Sequence, residues 1–367
     1  MSADTKYMKR ALTLAKKGLG KTYPNPAVGC VIVKNNVIVG EGWHKRAGGH
    51  HAEIHALEMA GTEAQGADVY VTLEPCSHTG KTPPCSEALI RAGVKRVVAG
   101  MSDPNPQVNG GGLRALRQAG IETLCGVLEN ECRAINLPFL KHITTGLPFV
   151  TYKCAMTLDG KIACVTGDSR WISCAASRKI VHRMRAESNA IMVGVDTIIA
   201  DNPRLTVRHV KGPDPLRIIV DSRLRTPESV AALSKTLAKG TVIATTETNP
   251  GVHARYLKTG ARILVCSSVN GRVNLQDLWN KLGGLGIQSI LLEGGCHLAG
   301  EALKQGLIDK CVFFYAPKVV GSDGFSPFAI TGTTDMAHSI PFSNLSIRRV
   351  GTDIMVTSHP EKTCLLD

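Results

Sequence analysis

Aromatic side chains are scarce, at 4% of 367 residues, and that scarcity qualifies the charge. A formal net charge of +13 invites a nucleic-acid partner, yet proteins that grip single strands stack bases on aromatic rings, and few rings are on offer. The positive charge is also spread out. Residues 1–148 hold 17 basic and 12 acidic side chains, and the rest hold 26 and 18, so neither half is a basic arm. Diffuse charge of this kind concentrates small phosphorylated ligands, and no nucleic-acid partner is expected. No apolar run approaches the roughly 18 residues a spanning helix needs, and Met1 to Lys6 lack the apolar stretch of a signal peptide. A cytoplasmic protein with no membrane partner is the expectation. Short-period repeats and low-complexity tracts are missing too. So is any G-x-G-x-x-G after the first strand of the second half, which counts against a simple Rossmann domain.

Cysteine is plentiful by comparison. Twelve residues would announce disulfides in a small secreted chain, but these run from Cys30 to Cys364 in a chain long enough for two domains. Reduced thiols, two of them on a metal, fit better. The chemistry concentrates in His51-Ala52-Glu53, Thr72-Leu73-Glu74-Pro75-Cys76 and Pro83-Pro84-Cys85. One imidazole and two thiolates supply three of the four ligands tetrahedral zinc prefers, and a catalytic site leaves the fourth position to water. Glu53 is then free to handle protons. Helix N-termini suit such an anionic cluster, and both halves of the stretch open apolar-periodic runs: Ile54, Leu57 and Met59 after His51, and Ala88, Leu89 and Ile90 after Pro84-Cys85. Residues two apart on a regular helix point roughly 200° apart. The spacing therefore predicts that His51 precedes the first helical residue.

Other readings of these residues stay open. Cys30, His50, His55 or His78 would complete a structural zinc site. His51 and His55 are spaced i, i+4 as in a metalloprotease helix, although there the Glu directly follows the first His. Cys76 and Cys85 would also serve as buried small hydrophobes. The wider pattern is more specific. It resembles the zinc nucleobase deaminases and their H-x-E…P-C-x-x-C signature, departing from it in that eight residues, Ser77 to Pro84, separate the two cysteines. H-A-E-x-H-A, T-L-E-P-C-x-H-x-G-x-T-P-P-C and Pro24-Asn25-Pro26 together resemble the deaminase half of the bifunctional riboflavin-pathway deaminase/reductase family. That resemblance implies zinc on His51, Cys76 and Cys85, Glu53 as proton shuttle, and Asn25 as a substrate contact. By itself Asn25 reads equally as turn punctuation.

Periodicity organises the chain around these motifs. Residues 4–17 predict an amphipathic helix capped by Asp4, followed by a hairpin of strands 28–33 and 37–43. Then come a helix from His51, a strand at 68–73, a helix from Cys85, a strand at 96–100, a helix at 112–119 and a strand at 121–125. Strand then helix, repeated, predicts a three-layer α/β domain with both ligand-bearing loops at one sheet edge. Residues 129–148, a charged helix and then two Pro-containing stretches, read as the linker between domains at 1–145 and 146–367. In the second domain, strands predicted at 149–156, 190–193, 216–220, 241–244, 262–265, 289–292 and 311–315 alternate with helices near 175–185, 275–282 and 297–307.

Glycine arrives late in this half. Glu293-Gly294-Gly295-Cys296-His297-Leu298-Ala299-Gly300 follows an apolar strand and opens a helix, where bare backbone can approach a pyrophosphate, or simply makes a tight turn. This stretch resembles the reductase half of the same family, a dihydrofolate-reductase-like α/β domain, and so do four others: Lys153-x-Ala155-x-Thr157-Leu158-Asp159-Gly160, Ser169-x-Trp171-Ile172, the run from Gly194 to Arg208, and Asp221-Ser222. The resemblance implies NADPH contacts at Ala155, Trp171, Thr197, Asp201, Ser222, Gly295, Cys296, His297, Leu298 and Ala299. It implies substrate contacts at Ser169, Arg185, Leu205, Arg208 and Glu293. Arg185 and Arg208 suit a bidentate clamp on a ribose 5′-phosphate, or are ordinary surface arginines. Arg223 and Arg225 are positioned for the 2′-phosphate of NADPH. Asp201 and Glu293 are the nearest proton donors.

The expectation is thus an N-terminal three-layer α/β/α cytidine-deaminase-like domain followed by a dihydrofolate-reductase-like α/β domain. The resemblance implies zinc-dependent deamination of 2,5-diamino-6-ribosylamino-4(3H)-pyrimidinone 5′-phosphate, then NADPH reduction of the ribosyl to a ribityl side chain, by a homo-oligomer acting on small phosphorylated pyrimidines. A tRNA-type nucleic-acid deaminase, or a zinc-stabilised RNA-binding protein, is the competing expectation. The long Cys76–Cys85 loop and the sparse aromatics weigh against both.

Overall fold

Small residues set the first layer contact. A Cβ on Gly42 would lie 2.1 Å from the Ala52 carbonyl oxygen, and one on Gly40 would lie 2.2 Å from that of Ala56. Only glycine lets a strand come this close to a helix, and the helix answers with Ala52, Ala56 and Ala60, all buried. In the computed structural model, which describes residues 2–77, 83–105 and 110–361, this contact pins the helix that begins after His51. The chain divides into two compact units, Met1–Gly146 and Leu147–Asp367. No helix among the described residues is long and apolar enough to cross a membrane.

The first unit runs α1 (Ala3–Ala15), β1 (Gly29–Lys34), β2 (Val37–Trp43), α2 (Ala52–Ala60), β3 (Asp68–Val71), α3 (Cys85–Arg91), β4 (Arg96–Ala99), α4 (Gly111–Gln118), β5 (Glu122–Cys125), α5 (Glu129–Ile135) and α6 (Leu137–Thr145). Its sheet has the order β2-β1-β3-β4-β5. The β1 strand pairs antiparallel with β2 and β3, while β3, β4 and β5 run parallel. Strand alternation splits the core. Ile32, Val69, Val71 and Val97 face α2, α3 and α4, and Val31, Tyr70 and Val98 face α1, with Cys132 of α5 on the same side. Each such fully buried aliphatic side chain contributes about 1.5–3 kcal/mol.

Two expectations fail here. Ser2, not Asp4, caps α1, its side chain accepting from the Thr5 N–H. Asp4 instead takes Arg96 at 2.8 and 3.0 Å and the Tyr70 hydroxyl at 2.9 Å, a use of its charge across 92 residues of sequence that local pattern does not register. The linker stretch opens with its expected charged helix and holds the boundary between the units, but its Pro-containing remainder is helix too: Pro138 sits in the first turn of α6, where its missing N–H costs nothing, and Gly146 ends the helix in the left-handed region at φ 73°.

The second unit contains β6 (Phe149–Thr157), α7 (Ala175–Glu187), β7 (Ala190–Gly194), α8 (Val195–Asp201), β8 (Leu216–Val220), β9 (Thr241–Thr245), α9 (Pro250–Thr259), β10 (Arg262–Val265), β11 (Ser268–Val269), β12 (Arg272–Val273), α10 (Leu275–Gly284), β13 (Ser289–Leu292), α11 (Cys296–Lys304), β14 (Lys310–Ala316), β15 (Phe342–Val350) and β16 (Asp353–Pro360). Nine strands lie in the order β10-β9-β8-β7-β13-β6-β14-β16-β15. The first seven run parallel, and β16 and β15 close one edge antiparallel. The central strands are apolar on both faces, as parallel strands between two helix layers must be. Met192 and Leu292 pack with Trp279 of α10 and Ala302 of α11, while Ile191 and Val193 pack with Ile198 of α8 and Tyr256 of α9. The β15–β16 hairpin has no counterpart among the predicted strands because β15 is exposed along most of its length, which erases the alternation. The α9 helix, also absent from the predicted elements, has an Asn249 cap, Pro250 in the first turn and Gly260 as its stop.

Candidate active sites

His51 is the last residue before α2, extended at φ −71° and ψ 167°, so it escapes the helical phase that would turn it away from Glu53. Its Nδ1 lies 3.2 Å from Cys85 Sγ and 3.7 Å from Cys76 Sγ, and the three donor atoms fall within 4.8 Å of one another. One nitrogen and two sulfurs so spaced fit a tetrahedral cation with bonds of roughly 2.0–2.3 Å. The donor chemistry fits as well. The Cys76 thiol is held down at about 4, first by a hydrogen bond from Cys85 and then by His51 and the Cys85 backbone N–H. The Cys85 thiol is pushed up, first by its hydrogen bond to Cys76. A thiolate beside an imidazole is what zinc binds.

Among the described residues no further His, Cys, Asp or Glu joins this group. Cys30 is fully buried in the core under the sheet. His50 and His55 turn to Glu58, at 2.9 and 3.2 Å. His78 lies outside the described residues. Glu53, in the first turn of α2, is 3% exposed, and burial pushes its carboxyl up to about 7, His51 opposing and Cys76 adding to the shift. A carboxyl near neutrality exchanges protons readily in both directions.

A cavity of about 430 Å³ opens over His51, Glu53 and Cys76, lined also by Asn25, His44, Asp103, Asn105 and Phe139. His44 Nδ1 lies 3.0 Å from the His50 carbonyl oxygen. That carbonyl accepts only, so Nδ1 carries the proton and Nε2 is left to accept from Asn25 Nδ2, 3.1 Å away. The loop bearing Cys76 is fixed by a residue that spacing alone did not single out. The Glu74 carboxylate, 3% exposed, accepts from four backbone N–H groups, those of Asp103, Gly110, Gly112 and Leu113, at 3.0–3.2 Å. One side chain thereby ties the strand end before Cys76 to the first turn of α4.

In the second unit the conserved geometry of parallel strands gathers several predicted residues at carboxyl ends. Register pairs Leu292 with both Tyr152 and Met192, so Glu293 leaves its strand between Lys153 on one side and Val193, just before Gly194, on the other. Gly294 and Gly295, at φ 117° and 79°, then lead into α11. A Cβ on Gly294 would meet Thr197 Oγ1 at 3.2 Å, and one on Gly295 would meet Leu298 and Thr197 at 3.7 Å. The result is a side-chain-poor cradle bounded by Gly194, Thr197 and Leu298, suited to a dinucleotide pyrophosphate.

Arg185 is not a free phosphate clamp. Its Nε and Nη2 donate to the Glu293 carboxylate at 2.7 and 2.9 Å, and Nη1 donates to the Thr206 carbonyl at 3.0 Å. Burial works against the Glu293 anion, but Arg185 and Lys153 outweigh it and hold the carboxyl at about 2. Glu293 therefore does not serve as a proton donor. Lys153 Nζ, 3.9 Å from that carboxylate, was not singled out in sequence, nor was His182, whose Nδ1 accepts from the Arg208 backbone N–H at 3.1 Å. Burial, then Arg185, push the His182 ring down to about 4.

The remaining residues scatter around this centre. Leu205 and Ala299 are buried in the core, and the Ala299 N–H donates to the Gly295 carbonyl at 2.9 Å. Trp171 is 65% exposed, with the Arg178 guanidinium 4.7 Å from its ring centre. Asp201 ends α8 and takes Arg170. The Ser222 Oγ accepts from the Val273 N–H at 3.0 Å. Arg225 donates to Asp196 at 2.6 Å, both exposed. Ala155 lies in β6, Cys296 and His297 open α11, Ser169 is partly exposed and Arg208 is exposed.

Comparison with known proteins covers both units. The profile described as the RibD C-terminal domain matches residues 148–356, and the cytidine and deoxycytidylate deaminase zinc-binding region matches residues 1–101. The chain is 46% identical over 354 residues to the riboflavin biosynthesis protein RibD of Actinobacillus pleuropneumoniae, covering 96% of this chain and 94% of that one. It is 43% identical over 366 residues to the Escherichia coli protein of the same name, covering 96% and 98%. Among solved structures, Acinetobacter baumannii RibD superposes with a TM-score of 0.88 at 38% identity, covering 98% of this chain and 99% of that one. A Thermotoga maritima diaminohydroxyphosphoribosylaminopyrimidine deaminase/5-amino-6-(5-phosphoribosylamino)uracil reductase gives 0.86 at 35% identity, with the same coverage.

Proposed function

This chain belongs to the RibD family of riboflavin biosynthesis proteins, and from that premise we propose how its residues divide two reactions between two units. The protein is a bifunctional enzyme, a zinc-dependent deaminase and an NADPH-dependent reductase. The deaminase belongs to residues 1–145 and the reductase to residues 146–367. The substrate is the diaminopyrimidine bearing a ribosylamino 5′-phosphate, a small molecule rather than a nucleic acid, in keeping with the 430 Å³ cavity.

His51 Nδ1, Cys76 Sγ and Cys85 Sγ would hold the metal. Bound there, zinc supplies the Lewis acidity that makes a water nucleophilic near neutral pH. Glu53 would take a proton from the attacking water as its oxygen bonds to the amino-bearing ring carbon, and would pass it to the departing amine. The C–N bond breaks, and ammonia leaves. Asn25, aimed by its bond to His44, meets the pyrimidine edge. In the second unit NADPH supplies the hydride that converts the opened ribosyl to ribityl. The glycine cradle at Gly294 and Gly295 receives its pyrophosphate, with Ala155, Thr197, Asp201, Ser222 and Trp171 around it. Glu293 stays ionised, and Lys153 beside it is the cation placed to give a proton to the ribosylamino nitrogen as hydride reaches the C1′ carbon of the opened C=N bond. Ser169, Leu205 and Arg208 complete the substrate side. Self-association belongs to this reading too, supported by exposed Leu345 and Ile347 on the outer strand β15; a monomer mass by light scattering would remove it.

One observation carries the deaminase assignment: an imidazole nitrogen and two sulfurs within 4.8 Å, with a buried carboxyl two residues along the chain. The test is incubation of the purified protein with the diaminopyrimidine ribose phosphate, with and without NADPH. Ammonia should appear in both cases and NADPH should be consumed only after it. NADPH consumption without ammonia, or neither, would defeat the assignment.

A further inference from the structure

Asn136 falls at the break between α5 and α6, at φ −116° and ψ 14°, and is 3% exposed. Its carboxamide spends both ends on one residue: Oδ1 accepts from the Ala27 N–H at 2.8 Å, and Nδ2 donates to the Ala27 carbonyl at 3.0 Å. A side chain so placed copies the two-bond exchange of an antiparallel strand pair. The donor and acceptor of Ala27 also fix which end of the carboxamide is which. Ala27 is itself buried and follows directly on Pro24-Asn25-Pro26. Neither proline has an N–H to give; within the turn the Asn25 N–H donates to the Thr22 carbonyl at 2.8 Å. Asn136 supplies the anchor at the other end. Three residues on, Phe139 lines the same cavity as Asn25 and Pro26.

We propose that Asn136 is a positioning residue for the deaminase pocket: by clamping Ala27 it fixes the Pro24-Asn25-Pro26 turn, and so the aim of Asn25 at His44 and at the bound pyrimidine. The inference rests on the deaminase reading and on Asn25 as a substrate contact. Removing the carboxamide leaves a buried N–H and C=O on Ala27 without partners, and these regain partners only by moving the turn. The metal donors stand on other segments and keep their places.

The test uses the full-length, zinc-loaded chain and measures ammonia release against substrate concentration, with zinc content and NADPH oxidation on the deaminated substrate alongside. Asn136→Ala and Asn136→Asp should each raise KM for the diaminopyrimidine ribose phosphate by about tenfold, with a smaller fall in kcat. Zinc content and NADPH oxidation should stay as in the wild type. Asn136→Asp keeps an acceptor for the Ala27 N–H, so it guards against simple misfolding of the alanine variant. In an Asn25→Ala background, Asn136→Ala should add little, because residues acting through one contact are not additive. An unchanged KM in Asn136→Asp, or full additivity with Asn25→Ala, overturns the proposal. Loss of zinc in both variants does so too, since Asn136 would then prop the whole unit. A wild-type protein that releases no ammonia would instead sink the deaminase reading beneath it.

Discussion

Two glutamates, one in each unit, are almost equally withdrawn from water and are held in opposite states. Glu53 is 3% exposed and its carboxyl is pushed up to about 7. The Glu293 side chain is 7% exposed and its carboxyl is held at about 2. Burial acts on both in the same direction, against the anion. The difference lies in the company: Glu293 has a bidentate guanidinium and an ammonium, while Glu53 has a half-buried imidazole and a thiolate whose charge favours its proton. Desolvation sets the cost of charge, and neighbours decide whether the charge is kept. A site that must move protons leaves its carboxyl underpaired, whereas one that must present a fixed anion pairs it fully.

The sharpest way to break this contrast is Glu53→Gln. Losing the proton shuttle should cut ammonia release by about 10²–10⁴-fold, while zinc stays bound and NADPH is still oxidised with the deaminated substrate. Retained deamination would show that another group carries the proton. Glu293→Gln comes next and should behave differently, as a structural injury. It strands the buried Arg185 charge, and breaking such a pair costs about 3–5 kcal/mol, visible as a lower denaturant midpoint of the second unit with the zinc content of the first unchanged. The pH dependence has a definite sign. The folded-state carboxyl lies near 2, below the ordinary 4.5, so the stability the pair contributes is full above about pH 4.5 and is lost as pH falls through about 2. Wild type and Glu293→Gln should therefore converge in acid unfolding experiments; a gap that persists at pH 2 would remove the ion pair as its cause. The smallest effect sharpens the comparison from outside both sites. Asp4 pairs with Arg96 nearer the surface, both side chains about one-fifth exposed, and Asp4→Asn should cost only about 0.5–1 kcal/mol by equilibrium denaturation.

How much of this was legible depends on how far apart in sequence the partners lie. His51, Glu53, Cys76 and Cys85 span a short stretch, their residue types are those of zinc chemistry, and each ligand-bearing segment opens a helix whose apolar spacing can be read directly. Short, buried apolar strands such as Ser289–Leu292 were equally plain. Glu74 was quoted within its motif, yet its use by four backbone N–H groups could not be read, since those donors lie 29 to 39 residues away. Arg185 was marked as a phosphate ligand, and an arginine in sequence shows its charge but not the carboxylate, 108 residues on, with which it pairs. Asn136 went unnoticed in a stretch that read as linker, 109 residues from the backbone it clamps.

By itself, then, the sequence determined which atoms are available for chemistry and which segments are helix or strand, because residue type and short-range periodicity are properties of neighbouring positions along the chain. Tertiary structure alone decided which carboxylates are ionised, which arginine is already taken, and which amide steadies the turn at the pocket, because desolvation and pairing depend on what packs nearby in space, and the chain does not announce its distant partners.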